Sequence, residues 1–62
     1  MRITQICNNV TVLAKNFKKI YILKNNGEYE SILLKDSIHN RIGIFNSWES
    51  AFQHGVKTLQ DH

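Results

Sequence analysis

The last quarter of the chain, Ser47-Trp-Glu-Ser-Ala-Phe-Gln-His-Gly-Val-Lys-Thr-Leu-Gln60, constrains the fold most. Trp48, Ala51, Phe52, Gly55, Val56 and Leu59 recur at the spacing of one helix face, and Glu49, Ser50, Gln53, His54, Lys57 and Gln60 fill the other. The spacing predicts an α-helix over residues 47–60 whose apolar stripe must lie against a surface. Asn46 and Ser47 are both good N-caps; taking Asn46 as the cap places Glu49 at the N3 position of a capping box, close to the positive end of the helix dipole. Gly55 costs a helix about 1 kcal/mol relative to alanine. Its place on the apolar face predicts close approach of the helix backbone to that surface. Trp48 and Phe52 are expected to serve stability rather than function.

Everything upstream reads as the sheet that supplies the surface. Lys18-Lys-Ile-Tyr-Ile-Leu-Lys24 and Glu28-Tyr-Glu-Ser-Ile-Leu-Leu34 flank Asn25-Asn26-Gly27. Asn-Gly between β-prone runs signals a type I′ hairpin, because both central residues need positive φ. With Asn26-Gly27 at the centre, Asn25 pairs with Glu28, Lys24 with Tyr29, Ile22 with Ser31 and Ile20 with Leu33. Alternation then puts Ile20, Ile22, Tyr29 and Leu33 on one face, and Lys19, Tyr21, Leu23, Glu28, Glu30, Ile32 and Leu34 on the other.

Residues 10–15 form another strand, with Val10, Val12 and Ala14 on one side. Residues 2–7 are β-prone and either pair with it across Asn8-Asn9 or only lead into it. Asn16-Phe17 reads as a turn with Phe17 packed into it, residues 36–41 as a polar connector, and residues 42–45 as a short strand in which Gly43 permits a bend or a close approach. The expected fold is α+β: one domain over residues 1–62, an antiparallel sheet of three to four strands with a central hairpin at 18–34, packed on one C-terminal helix.

A single helix covers one sheet face. The Ile20/Ile22/Leu33 face is expected beneath it, which leaves Tyr21, Leu23, Ile32 and Leu34 as an open apolar patch unless residues 2–7 or 36–45 fold across it. Open patches on small domains mark contact surfaces. Sixty-two residues bury only about 60% of the unfolded surface, so a partner would also add stability. The apolar fraction of 42% with 21% charged residues fits a folded globule rather than a disordered tail.

Chemistry is sparse. Cys7 is the only cysteine, which excludes an intrachain disulfide and fits a reducing compartment; a buried thiol near a strand end is expected. His39, His54 and His62 form no metal-ligand spacing, and Glu28 with Glu30 lacks the cleft that paired-carboxylate catalysis needs. No phosphate loop or nucleophile elbow is present. No enzyme activity, metal or cofactor is therefore expected. The longest apolar run, Ile20-Tyr-Ile-Leu23, is far short of a membrane span, and the N-terminus lacks a signal-peptide run, so a cytoplasmic location is expected. The net charge of +3 and pI near 9.3 suit an acidic partner or nucleic acid. Lys15, Lys18, Lys19 and Lys24 around Phe17 and Tyr21 offer a single-strand platform, opposed by Glu28 and Glu30.

The order strand, lysine-rich hairpin, short strand, then Phe45-Asn-Ser-Trp-Glu-Ser-Ala-Phe-Gln-His-Gly-Val56 resembles small accessory proteins of phages and prophages over residues 10–60. The resemblance implies stoichiometric binding and blocking of a host enzyme or defence complex in the host cytoplasm, as anti-CRISPR proteins do. The leading expectation is thus a non-enzymatic inhibitor or regulator that binds a host or defence-system protein. Its contacts would be Tyr21, Leu23, Ile32 and Leu34, rimmed by Lys19, Lys24 and Glu30. The alternative is a small basic nucleic-acid-binding regulator, and a homodimer through the apolar face is compatible with both.

Overall fold

The computed structural model describes residues 1–60. Five strands, β1 (Arg2–Cys7), β2 (Val10–Lys15), β3 (Lys18–Asn25), β4 (Glu28–Lys35) and β5 (Ile38–Phe45), form one antiparallel meander in chain order, followed by helix α1 (Trp48–Gln60). The fold is α+β as expected, with five strands rather than three to four. Residues 2–7 do pair with β2, with a bulge between Gln5 and Cys7. The expected polar connector at 36–41 is instead a turn followed by the first half of β5, which begins at Ile38.

Two-residue turns join all five strands. Asn26 (φ 52°) and Gly27 (φ 80°) make the type I′ turn, and the expected pairs from Asn25↔Glu28 to Ile20↔Leu33 are all formed. Asp36 (φ 54°) and Ser37 (φ 66°) repeat that geometry without a glycine. A serine in the left-handed region bears a cost of roughly 1–2 kcal/mol, which is why this turn reads as a connector in the sequence. A bulge between Ser31 and Ile32 shifts the register of β5, so that Ser31 faces Gly43 and Ile32 faces Arg41.

The helix lies across β2, β3, β4 and β5 and leaves β1 outside its footprint. Beneath it Leu13, Ile20, Ile22, Ala51 and Leu59 are buried, with Tyr29, Leu33, Ile42, Phe45, Phe52 and Val56 around them. Burying each large aliphatic side chain contributes about 1.5–3 kcal/mol, so this thin layer holds most of the stability. Gly55 is buried at its centre. A β-carbon there would stand 3.0 Å from Leu13 Cδ1 and 3.1 Å from Ile20 Cγ2, the close approach that the glycine predicts. Gly43 serves a second approach, because the Phe45 ring folds back to within 2.7 Å of where its β-carbon would be.

Of the two candidate caps, the helix uses the second. Ser47, not Asn46, is the cap: its Oγ accepts from the Ser50 amide at 3.2 Å, and Glu49 falls one position short of N3. Trp48 is only partly covered (37% exposed); its ring stacks on Phe52 with centroids 4.8 Å apart, and its Nε1 donates to Thr11 Oγ1 at 3.2 Å. His54 is half-buried beside Phe45, ring centroids 5.1 Å apart, rather than on an open polar face. Cys7 is exposed rather than buried, because β1 is an edge strand that the helix does not reach. Phe17 is 93% exposed at its turn rather than packed into it.

Two outcomes test these constraints by denaturant unfolding. Ser37→Gly should raise stability by about 0.5–1 kcal/mol, the relief of positive φ less the extra entropy of the unfolded chain. Gly55→Leu should lower it by about 2 kcal/mol or more, because overpacking between Leu13 and Ile20 outweighs leucine's better helix propensity.

Candidate functional site: the open face of the sheet

Alternation along the five strands leaves a second face that no element among the described residues covers. Three cross-strand rows compose it. The first runs Arg2, Ala14, Lys19, Leu34, His39; the second Thr4, Val12, Tyr21, Ile32, Arg41; the third Cys7, Val10, Leu23, Glu30, Ile44, with Ile6 at the bulge beside it. Neither residues 2–7 nor residues 36–45 fold across this face. They widen it as the edge strands β1 and β5.

Val12, Ala14, Tyr21, Leu23, Ile32 and Leu34 are each half-buried, shielded only by their neighbours in the rows. Side chains on adjacent strands lie about 4.5–5.5 Å apart, close enough to shelter one another from water but not to exclude it. Arg2, Thr4, Ile6, Val12, Ala14, Lys19 and Tyr21 border a shallow groove of about 290 Å³. Around the apolar middle stand Lys19 and Arg2 at one end of the strands and Glu28 and Glu30 at the other. Arg41 Nε donates to Glu30 Oε2 at 3.0 Å, and the arginine is 63% exposed.

The expected contact residues sort cleanly. Lys19, Tyr21, Leu23, Glu30, Ile32 and Leu34 share this face, whereas Lys24 is on the helix side, its Nζ 6.0 Å from the centroid of the Tyr29 ring. The expected lysine platform is divided in the same way. Lys15 pairs with Lys18 and Lys24 with Tyr29 on the helix side, with Lys18 buried, so of the four lysines Lys19 alone accompanies Tyr21.

Arg2, Thr4, Ile6, Val12, Ala14, His39, Arg41 and Ile44 also belong to the face and were not among the expected contacts. The Val10/Val12/Ala14 alternation was visible in the sequence. What joins it to Tyr21 is the β2–β3 register, which a turn without glycine does not announce.

His39 and His54 are on opposite sides of the sheet, and His62 lies outside the described residues. Among the described residues no three of histidine, cysteine, aspartate and glutamate gather as a metal site would require, and no helix is long and apolar enough to cross a membrane.

The face is held by the backbone and not by its charges. An ion pair with so exposed an arginine contributes little. Arg41→Ala should therefore shift the denaturant midpoint by the equivalent of less than about 0.5 kcal/mol, and a larger loss would show that the pair organises β4 and β5.

No protein-family model matches the chain, and no curated protein or solved structure is significantly similar to it, so no property comes to this face from a relative.

Proposed function

We propose that the protein is a non-enzymatic, protein-binding inhibitor or regulator that docks through the open face of its sheet. The observation that carries this reading is the uncovered apolar block of Val12, Tyr21, Leu23, Ile32 and Leu34, framed by charges of both signs. The helix already uses the other face for the core. A flat apolar centre with a charged rim is the anatomy of a protein–protein interface. The partner this suits is a host or defence-system protein whose docking would block its work, the mode of action implied by the likeness to phage accessory proteins.

A nucleic-acid platform fits the geometry less well. It needs several free cations around exposed aromatic rings; here Tyr21 is half-buried, Arg41 is paired with Glu30, and Glu28 and Glu30 offset the charge of Arg2 and Lys19 at the other end.

Tyr21 is central and aromatic, the kind of residue that dominates interface energies. After affinity capture of the partner from the native host, titration of the purified pair should show Tyr21→Ala and Leu23→Ala each weakening binding by more than about 1 kcal/mol. Trp48→Phe, on the helix side, should leave it unchanged. Normal binding by both alanine variants would remove the open face as the docking site.

A further inference from the structure

We infer that a second copy of this chain occupies the open face when no target does, the two sheets packing face to face with their strands running in opposite directions. The inference rests on the reading of that face as a docking surface and names a partner for it.

The distribution of charge selects this arrangement. Lys19 and His39 stand in the row at one end of the strands, Glu30 in the row at the other, and the Val12–Tyr21–Ile32 row between them is uncharged until Arg41. Two copies can face each other about a two-fold axis in the interface plane that runs either along the strands or across them. An axis along the strands through β3 sets Lys19 against Lys19 and Arg2 against His39. An axis across the strands, through the Tyr21 row, reverses the ends. Lys19 of one copy then comes beside Glu30 of the other, twice over, while Tyr21 meets Tyr21 and Ile32 meets Ile32 at the centre of the axis and Arg41 meets Arg41 at its β5 end, each arginine already paired with its own Glu30 at 3.0 Å. Only the second arrangement joins opposite charges around an apolar centre, which is the self-complementarity that an isologous dimer requires.

The size of the face sets the strength. Five strands about 4.8 Å apart and about 20 Å long give each copy a flat footprint of roughly 500 Å². Two such footprints total roughly 1,000 Å², at the low end for specific interfaces. The dimer is accordingly reversible, and a docking target competes with the second copy for the same residues.

Sedimentation of the full chain over a wide concentration range tests this, with circular dichroism checking that each variant folds. The wild type should shift from monomer to dimer as concentration rises. Tyr21→Lys, which sets two unpaired like charges against each other in the apolar centre, should stay monomeric. Lys19→Glu and Glu30→Lys should each weaken the dimer about tenfold or more, and an equal mixture of the two should restore it, since both cross-contacts are then oppositely charged.

A monomeric wild type, a dimer that survives Tyr21→Lys, or a mixture no tighter than either variant alone would overturn the arrangement. Such a failure leaves the docking reading to the alanine titration. Conversely, a dimer behaving as expected, with target binding unaffected by Tyr21→Ala and Leu23→Ala, refutes target docking alone.

Discussion

The seating of one helix on one face of a two-faced sheet is the constraint on which the rest depends. A five-stranded meander has apolar residues on both sides, and a 13-residue helix can cover only one of them. Gly55 sets how closely the helix approaches that side. Its bare backbone rests on Leu13 and Ile20 at distances that leave no room for a relaxed side chain, so the middle of the helix comes down close on these two residues. Ala51 and Leu59, one turn to either side, follow it into the core. The same placement leaves β1 outside the footprint and the Tyr21 face without a lid.

The turns make that sheet possible in a short chain. Two-residue connections admit no choice of neighbour: each strand must fold back on the one before it, and the register follows from the turn. A slip by one residue would exchange Ile20 and Ile22 for Lys19 and Tyr21 beneath the helix. The strict register is therefore also what assembles the open face, since residues excluded from the core are delivered together to the other side. Core and candidate site are two results of one pairing pattern.

An apolar face with separated charges has consequences for how such a protein works. The face is shallow, with a groove of about 290 Å³ bordered by residues of β1, β2 and β3. It does present a broad surface whose affinity can come from the many side chains arrayed along its rows. The framing charges supply orientation rather than strength, because exposed pairs such as Glu30–Arg41 are well screened. Orientation is what a self-complementary surface also needs, so the features on which the proposed docking rests are the same ones on which the proposed dimer rests.

The sequence alone determined the central hairpin, its register, the helix, and which residues of β3 and β4 face away from it. These follow from short-range rules: Asn-Gly demands a type I′ turn, period two sorts a strand, and period 3.6 sorts a helix. That Tyr21, Leu23, Ile32 and Leu34 share the face turned away from the helix was legible for that reason. Tertiary structure decided the rest. Asp36 and Ser37 adopt positive φ only because pairing of β5 with β4 compensates the strain, so neither the turn nor the strand start at Ile38 could be read locally. Ser47 rather than Asn46 caps the helix because the chain leaves β5 at Phe45 with two residues in which to turn. The exposure of Cys7 and Phe17 and the division of the lysines between faces depend on where the helix stops and how β2 pairs with β3. Those are distances between segments far apart in the chain, and no local preference encodes them.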